Sequence, residues 1–279
     1  MMRNQIENIS KHHLGKFYNL KKGKDCYIFG TGPSIKWYDL KKFSNKESIV
    51  TGLLPFHREF SSLNVSYYSL IEPWLLVNHL LRNIFGISEE QEVMISNQQE
   101  LIEIYKEFLE ENNTIDVFLN ASNILNLSCI FNKKIHFTSQ NLPNKNEVID
   151  KLNNFNLFSG SFHAPIVLAY FLGFEEINLV GFDAWTLRKS RSTRFYEVGK
   201  GDISFQDQLD DDIFNIINNE ITINVISPFE DYSFSRIQKC KTIFYEDLFS
   251  TKAIYRENND LVSEKVLNAL SADPILNVY

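Results

Sequence analysis

The residues best suited to chemistry in this sequence form a short glycine-rich loop, Gly30-Thr31-Gly32-Pro33-Ser34. It follows the apolar run 26–29, which predicts a strand. Glycines let the backbone turn sharply, and a proline suits the first turn of a helix. A helix starting there would present free N–H groups to an anion, and the Ser34 hydroxyl would add a donor. We predict a phosphate or nucleotide site; the plainer interpretation is a strand-to-helix turn.

The loop departs from two common nucleotide-binding motifs. Ile35 stands where GxGxxG requires its third glycine, and the acidic residue expected about 20 positions later falls near Thr51 and Gly52. No Gly-Lys-Ser/Thr follows, so the loop is not a Walker A motif. Hydride transfer with NAD(P) and ATP hydrolysis are therefore disfavoured.

Other residues that could take part in binding or catalysis stand at the ends of predicted strands: Gly52, Glu72 and Asp183. A charge that ends an apolar run must face a cleft or be paired, which favours a functional role for Asp183. Glu72 fits equally well as an acid at a helix start. Since ligands bind at the carboxyl ends of parallel strands, we expect Gly30, Gly52 and Asp183 to lie at one edge of a sheet.

The elements that must position these residues alternate between strands and helices. This alternation predicts an α/β fold with a Rossmann-like, mostly parallel sheet and helices on both faces. The predicted strands are residues 26–29, 48–53, 65–71, 93–96, 116–119, 135–138, 177–183, 221–226 and 242–245. The predicted helices are residues 72–85, 98–111, 164–172 and 205–219. Gly173 is predicted to end the helix 164–172.

The domain organisation predicted from length and composition is simple. The 279 residues suit one large domain, with a polar N-terminal leader at 1–24 and a single nucleotide-binding domain at 25–279. Residues 186–204 interrupt the pattern with a cluster of arginines and lysines. They predict an inserted mobile lid; a solvated surface loop is an equal alternative.

Charge and cysteine content restrict the function classes. The net charge of −7 disfavours a nucleic-acid partner. The three cysteines, Cys26, Cys129 and Cys240, are far apart, so we predict neither a disulfide framework nor a metal site. The N-terminus has no apolar signal core, and no apolar run is long enough to span a bilayer. We expect a cytoplasmic protein, with peripheral contact at the inner membrane left open.

Three segments together carry a family resemblance. Residues 28–35 read as a GxGPSL-like motif, Ser159-Gly160-Ser161 precedes an apolar helix, and residues 173–183 read G-F-E-E-I-N-L-V-G-F-D. These segments, and the spacing between them, resemble the bacterial sialyltransferases of glycosyltransferase family 42 and related polysaccharide-synthesis proteins. The resemblance covers most of residues 25–230.

The resemblance implies an inverting, metal-independent transfer of a sialic or related nonulosonic acid from a CMP-sugar donor, without a further cofactor. The acceptor would be a glycan or lipid-linked glycan of a lipopolysaccharide or capsule. Gly30, Thr31, Gly32 and Ser34 would hold the phosphate and ribose, and Ser159 and Gly160 would contact the donor from the far side. Asp183 would position part of the site. Pro33, Gly52 and Ser161 complete the predicted nucleotide site.

The catalytic residues are less well matched. Thr31 stands where the family carries asparagine, and the family's lid histidine, its catalytic base, has no counterpart within 186–204. Arg194-Phe195-Tyr196-Glu197 occupies about that place, so Arg194 and Tyr196 would support the leaving phosphate. Candidates for the base are Glu197, Asp183 and His163; His163 equally fits a helix-start residue bonded to backbone.

Two other functions stay open from the sequence. A pterin-diphosphokinase-like enzyme would share the fold but need ATP and Mg²⁺. A non-catalytic nucleotide- or glycan-binding protein is favoured by the missing lid histidine. Among the aromatic residues Trp37, Trp74 and Trp185, which could stack on a sugar or base, Trp185 is the best placed because it follows Asp183 closely.

Overall fold

The structure, a computed structural model, describes residues 14–71, 92–120, 134–138, 160–183, 189–190, 194–196, 203–204, 212–230 and 240–271. In this part of the chain eight parallel strands form one sheet, in the order β10-β9-β6-β1-β2-β3-β4-β5. They are β1 (Asp25–Phe29), β2 (Glu47–Thr51), β3 (Asn64–Leu70), β4 (Asp116–Asn120), β5 (Ile135–Thr138), β6 (Glu176–Val180), β9 (Thr222–Ser227) and β10 (Lys241–Phe244). Separately, β7 (Lys189–Ser190) and β8 (Ile203–Ser204) form an antiparallel pair.

Six α-helices lie within the described residues: α1 (Glu92–Glu111), α2 (Gly160–Leu172), α3 (Asp212–Glu220), α4 (Tyr245–Phe249), α5 (Asn258–Leu261) and α6 (Glu264–Ser271). Short 3-10 turns cover Gly15–Phe17, Pro33–Trp37, Leu40–Phe43, Leu54–Phe56 and Phe60–Ser62. None of the helices in these ranges is long and apolar enough to cross a bilayer.

Each face of the sheet is covered by its own apolar cluster. Successive side chains of a strand point to opposite faces, so Cys26 and Ile28 of β1 pack with α2, whereas Tyr27 and Phe29 pack with the cluster that contains α1 and α6. The predicted α/β class, with a parallel sheet and helices on both faces, is confirmed.

Three predicted elements need correction or lie partly or wholly outside the described residues. The predicted strand 93–96 is wrong, because these residues belong to α1. A short apolar run is ambiguous between strand and helix, and the apolar face formed by Leu101, Ile104 and Tyr105 continues the helical pattern. The predicted helix 72–85 lies outside the described residues, and the predicted helix 205–219 is described only from Asp212.

The N-terminal segment 14–24 belongs to the fold, so a leader over 1–24 is wrong for these residues. Leu14 and Phe17 are buried in the cluster around α2. The Asn19 and Lys21 amides donate to the carbonyls of the last α2 residues, at 3.1 and 2.7 Å. The polar composition hid these two apolar anchors.

The predicted end of α2 at Gly173 is confirmed. Gly173 has φ +87°, and its amide donates to Tyr170 O while the Phe174 amide donates to Ala169 O. These two bonds satisfy carbonyls of the last helical turn in the manner of a Schellman motif. They turn the chain into β6, which lies within the third motif, residues 173–183.

Between α4 and α6 runs a segment that sequence reasoning did not foresee, residues 254–262, here called the C-terminal strap. Its Ile254 and Arg256 amides donate to the carbonyls of Trp37 and Lys36, at 3.1 and 2.9 Å. At its other end, the carbonyl of Leu261 accepts from the Arg58 amide at 2.7 Å. The strap therefore fastens the segments that follow β1 and β2.

Candidate functional site

The glycine loop leaves β1 where the order of strands reverses. From β1 the chain builds outward through β2 to β5 on one side, and β6, β9 and β10 fill the other side. In open parallel sheets this switch point leaves a crevice at the carboxyl ends of the strands, where ligands bind. Gly30 stands at that crevice.

The loop is fixed to the chain that follows β6. The Gly30 amide donates to Val180 O at 2.8 Å, and the Gly32 amide donates to Gly181 O at 2.7 Å. The Ser34 amide donates to Asp183 Oδ2, also at 2.8 Å. Two of the three motifs that carry the resemblance are therefore bound directly to each other.

The loop glycines are required for space. Gly32 has φ −64°, a value open to any residue, so the expectation that glycine is needed there for backbone freedom is wrong. A Cβ atom on Gly32 would lie 2.2 Å from Asp183 Oδ2 and 2.7 Å from Gly181 O. A Cβ atom on Gly30 would lie 2.5 Å from that same carbonyl oxygen. Only glycine lets the two segments approach this closely.

The segment after the loop does not provide the expected free helix terminus. It is a five-residue 3-10 turn, Pro33–Trp37, and the α-helix expected there is wrong. Pro33 has no N–H group, and the Ser34 amide is already bound to Asp183. Ser34 is also only 1% exposed, so a phosphate could not reach it in this conformation. Its contact with a phosphate stays a prediction.

Asp183 is placed to hold the loop. It lies three residues beyond β6, is 0% exposed and receives the Ser34 amide. Its charge also acts on Tyr38, whose pKa is raised well above its usual value by burial and then by Asp183. The Tyr38 hydroxyl donates to Ile226 O at 2.9 Å. A sealed carboxylate that holds a backbone amide suits a positioning role better than that of a base for an acceptor hydroxyl.

Gly52, predicted at the end of the second strand, and Thr31, predicted in the loop after the first strand, are neighbours. Phe29 pairs with Val50 in the sheet, which places the ends of β1 and β2 side by side. Gly52 has φ +57°, and a Cβ atom on it would lie 3.1 Å from Thr31 Cγ2. The left-handed conformation is one that glycine adopts readily, and it keeps the chain beside Thr31 open.

Residues 194–196 of the predicted lid are anchored to the core. The Phe195 amide donates to Thr31 O at 2.8 Å, and the Tyr196 carbonyl accepts from Asn258 Nδ2 at 2.8 Å. Phe195 and Tyr196 are 0% and 7% exposed, and the Arg194 guanidinium lies 5.9 Å from the centre of the Tyr196 ring. Phe195 and Tyr196 are therefore not part of a solvated loop, whereas a mobile lid over residues 186–204 stays a prediction. Glu197 lies outside the described residues.

The first residues of α2 lie at the same edge of the sheet as Gly30. The helix ends beside the N-terminal segment and leads into β6, so its beginning, at Gly160, lies at the carboxyl edge. Ser161 is in the first turn, and His163 follows as a buried residue, 4% exposed. Ser159 lies outside the described residues. The fold thus brings Gly160 and the glycine loop to one edge of the sheet, and the contact of Ser159 and Gly160 with a donor stays a prediction.

Sequence reasoning missed His57, which follows β2. Its ring is 2% exposed and its centre lies 5.5 Å from that of Phe195. Nδ1 accepts from the Glu59 amide at 3.1 Å, which places the proton of the neutral ring on Nε2. Burial, assisted by the charge of Arg256, lowers its pKa from 6.5 to about 3. In the sequence, the signal that could have indicated a role for His57 is its position five residues after Gly52.

No group of three histidine, cysteine, aspartate or glutamate side chains that could hold a metal ion occurs in the described ranges. Charge at the site comes instead from Asp183 in the sealed layer and Arg194 above Tyr196. The arrangement offers backbone groups and hydroxyls at the crevice, and Arg194 is the cation of the segment that bonds to Thr31 through Phe195.

Comparisons with known proteins give a likeness of fold. No protein-family profile matches the chain, and neither does any curated protein. Among solved structures, the sialyltransferase CstII from Campylobacter jejuni, in complex with the substrate analogue cytidine-5'-monophosphate, aligns with a TM-score of 0.44 at 13% identity, over 91% of this chain and 99% of that one. The sialyltransferase CST-II in complex with a trisaccharide acceptor and CMP aligns with a TM-score of 0.42 at 15% identity, over 89% and 99%. A likeness at this level carries no argument about activity.

Proposed function

We propose that this chain is an inverting, metal-independent glycosyltransferase that transfers a sialic or related nonulosonic acid from a CMP-sugar to a bacterial surface glycan. The observation that carries the proposal is the direct binding of the glycine loop to the 181–183 segment at the switch point, through Gly32 and Ser34. The two motifs that resemble a CMP-sugar enzyme by sequence form one structural unit, at the place where α/β folds bind nucleotides.

The donor would lie across the crevice between β1 and β6. The Thr31 hydroxyl and the backbone of residues 30–32 would meet the phosphate and ribose, with Gly52 giving room beside Thr31. The start of α2, with Ser159, Gly160 and Ser161, would meet the donor from the other side. Pro33 fixes the turn that leads away from the site, and Asp183 holds it in place.

The chemistry would require charge stabilisation and a base. As the glycosidic bond to the phosphate breaks, negative charge grows on the CMP phosphate, and Arg194, supported by the Tyr196 ring, would stabilise it. The acceptor oxygen would attack the anomeric carbon from the opposite face and invert it. Glu197, next in the chain, would take the acceptor's proton. A metal ion is not needed where an arginine meets the leaving phosphate.

A thermal-shift experiment tests the nucleotide. A ligand that binds the folded state raises the unfolding temperature, so we expect CMP to stabilise the chain, equally with Mg²⁺ or EDTA. A preference for ATP that depends on Mg²⁺ would contradict the proposal and favour the diphosphokinase-like alternative.

A second function has one observation in its favour. No histidine occurs in residues 186–204, so a protein that binds a nucleotide or glycan without turnover is the alternative. Release of CMP from CMP-sialic acid in the presence of a glycan acceptor separates the two. Binding of CMP without any release, over long incubation, would establish the non-catalytic alternative.

A further inference from the structure

An exposed group of apolar side chains lies beside the candidate site, at the same edge of the sheet. It consists of Trp37, Phe229, Ile254 and Tyr255, here called the aromatic platform. The rings of Phe229 and Tyr255 have their centres 5.1 and 5.0 Å from that of Trp37. Phe229 is 38% exposed, Tyr255 43% and Ile254 70%. Three of the five large apolar side chains that are exposed in the described residues are gathered here.

The platform is held rigidly by the backbone beneath it. The amides on either side of Tyr255, those of Ile254 and Arg256, donate to the carbonyls of Trp37 and Lys36. Arg256 Nη1 also lies 2.8 Å from Glu59 Oε1. Exposed rings that are already fixed lose little conformational freedom when a ligand binds. This rigidity favours a binding surface over a chance exposure of apolar groups.

The position of the platform follows from the register of the sheet. Leu179 pairs with Val225, and Phe29 pairs with Val180, so Gly30 and Ser227 lie level at the carboxyl edge. Since β9 is two strands away from β1, the turn with Phe229 begins about 10 Å from the glycine loop. That distance spans one or two sugar rings.

The size and charge of the platform select its ligand. A stable protein interface takes about 20–30 residues a side, whereas the residues around the platform, such as Ser250, Thr251 and Glu257, are exposed and polar. Anionic membranes attract clusters of basic residues, but here the two cations Lys36, whose Nζ lies 5.8 Å from the centre of the Tyr255 ring, and Lys252 are balanced by the exposed Glu230 and Glu257. A sugar ring has apolar C–H faces and a rim of hydroxyl groups, which suits aromatic faces bordered by polar groups.

We propose that the aromatic platform binds a neutral sugar unit of a glycan, one or two units away from the acceptor hydroxyl. The identification of that glycan as the acceptor rests on the proposed function; the binding of sugar does not. The Tyr255 hydroxyl is protonated at neutral pH, as for an ordinary tyrosine, and burial and then Glu257 raise its pKa further. It can therefore both donate to and accept from a sugar hydroxyl.

The test measures saturation transfer by NMR from the protein to lactose, N-acetyllactosamine and maltotriose, each at millimolar concentration. The variants are Phe229→Ala and Tyr255→Ala, singly and together. Tyr18→Ala is the matched control, because Tyr18 is 49% exposed in the N-terminal segment, at the opposite edge of the sheet. We expect at least one of these neutral sugars to bind, the double variant to weaken it about tenfold and the control to bind as the parent does.

Parallel measurements distinguish the ways in which the proposal can fail. Absence of sugar binding, or equal binding by the double variant, overturns it. Two other outcomes also overturn the proposal when no sugar binds. If the double variant loses self-association in sedimentation, the platform binds a second copy of the chain. If it loses binding to phosphatidylglycerol vesicles, the platform binds a membrane. CMP is titrated alongside: sugar binding without CMP binding keeps the platform and rejects the proposed function. If transfer is observed, the double variant should raise KM for the acceptor and leave KM for the donor unchanged.

Discussion

The backbone amide of Ser34 donates a hydrogen bond to Oδ2 of Asp183, a residue 149 positions away in the chain. Both residues are almost fully buried, so the bond is shielded from water. The shape of the glycine loop therefore depends on a side chain from another motif, and a change at either position should be felt at both.

Replacement of Asp183 separates positioning from proton transfer. Asp183→Ala leaves the buried Ser34 amide without its acceptor, and we expect a loss of about 1–3 kcal/mol in the free energy of unfolding together with weaker CMP binding. Asp183→Asn keeps an acceptor oxygen and should keep most of the CMP affinity and of the turnover. Calorimetric titration, denaturant unfolding and rates measure these effects. If the Asn variant binds CMP normally but turns over at least a hundredfold more slowly, Asp183 is the base.

The close approach of Gly32 to Asp183 should make the protein sensitive to any side chain at position 32. A Cβ atom on Gly32 would lie 2.2 Å from Asp183 Oδ2, so Gly32→Ala should cost about 1–3 kcal/mol as an overpacked site and displace the loop. The control is Gly15→Ala, since a Cβ atom on Gly15 meets nothing within 4 Å. Urea unfolding of both variants measures the difference. Equal stabilities would show that the loop does not approach Asp183 so closely.

Stability should fall in mild acid because of His57. Its pKa is lowered from 6.5 to about 3 in the folded state, so between these values the unfolded chain binds a proton that the folded chain does not. The free energy of unfolding is thus reduced as pH falls below about 6.5, by up to about 1.4 kcal/mol per pH unit. His57→Asn can accept from the Glu59 amide but does not titrate, and should flatten this dependence. Unfolding curves from pH 7 to 4 test it; parallel curves for parent and variant would contradict it.

Two residues of the predicted lid, Arg194 and Glu197, should affect the rate of turnover. Arg194 contacts the ring of Tyr196, and a charged hydrogen bond to the leaving phosphate is worth about 1.5–3 kcal/mol. Arg194→Ala should therefore lower turnover by about tenfold to a hundredfold or more, and Glu197→Gln should lower it if Glu197 is the base. Steady-state release of CMP measures both. If both variants retain the parent rate, the base must be sought at Asp183 or His163.

The sequence predicted the sheet well because strands that are buried on both faces read as apolar runs, and β1, β2, β3, β6 and β9 all do. The edge at which Gly30 and Gly52 meet followed from the direction of parallel strands. The role of Asp183 was only half foreseen. Its position after an apolar run indicated a buried or cleft-facing charge, but the amide that it receives comes from a turn far away in the chain, and no local pattern encodes that pairing.

The same limit applies to Phe195 and His57. The stretch around Phe195 is rich in arginine and serine, so its composition indicated a solvated segment, yet two aromatic residues within it are buried. His57 stands in a run without helical or strand periodicity, and its burial depends on packing against Phe195. Contacts between irregular segments are set by the finished tertiary structure, so they escaped prediction from the sequence.

The turn that follows the glycine loop can be fastened by the strap, residues 254–262, only after the strap has been synthesised. The amides that bond to the carbonyls of Trp37 and Lys36 belong to Ile254 and Arg256, 217 and 220 positions later in the chain. Contacts between such distant positions raise the contact order and slow their formation. A nascent chain can thus assemble β1 and β2 while the turn after the loop still lacks its fastening. A stop codon before position 254 would remove this fastening together with α6, whose Val266, Ala269 and Leu270 are buried in the apolar cluster on one face of the sheet.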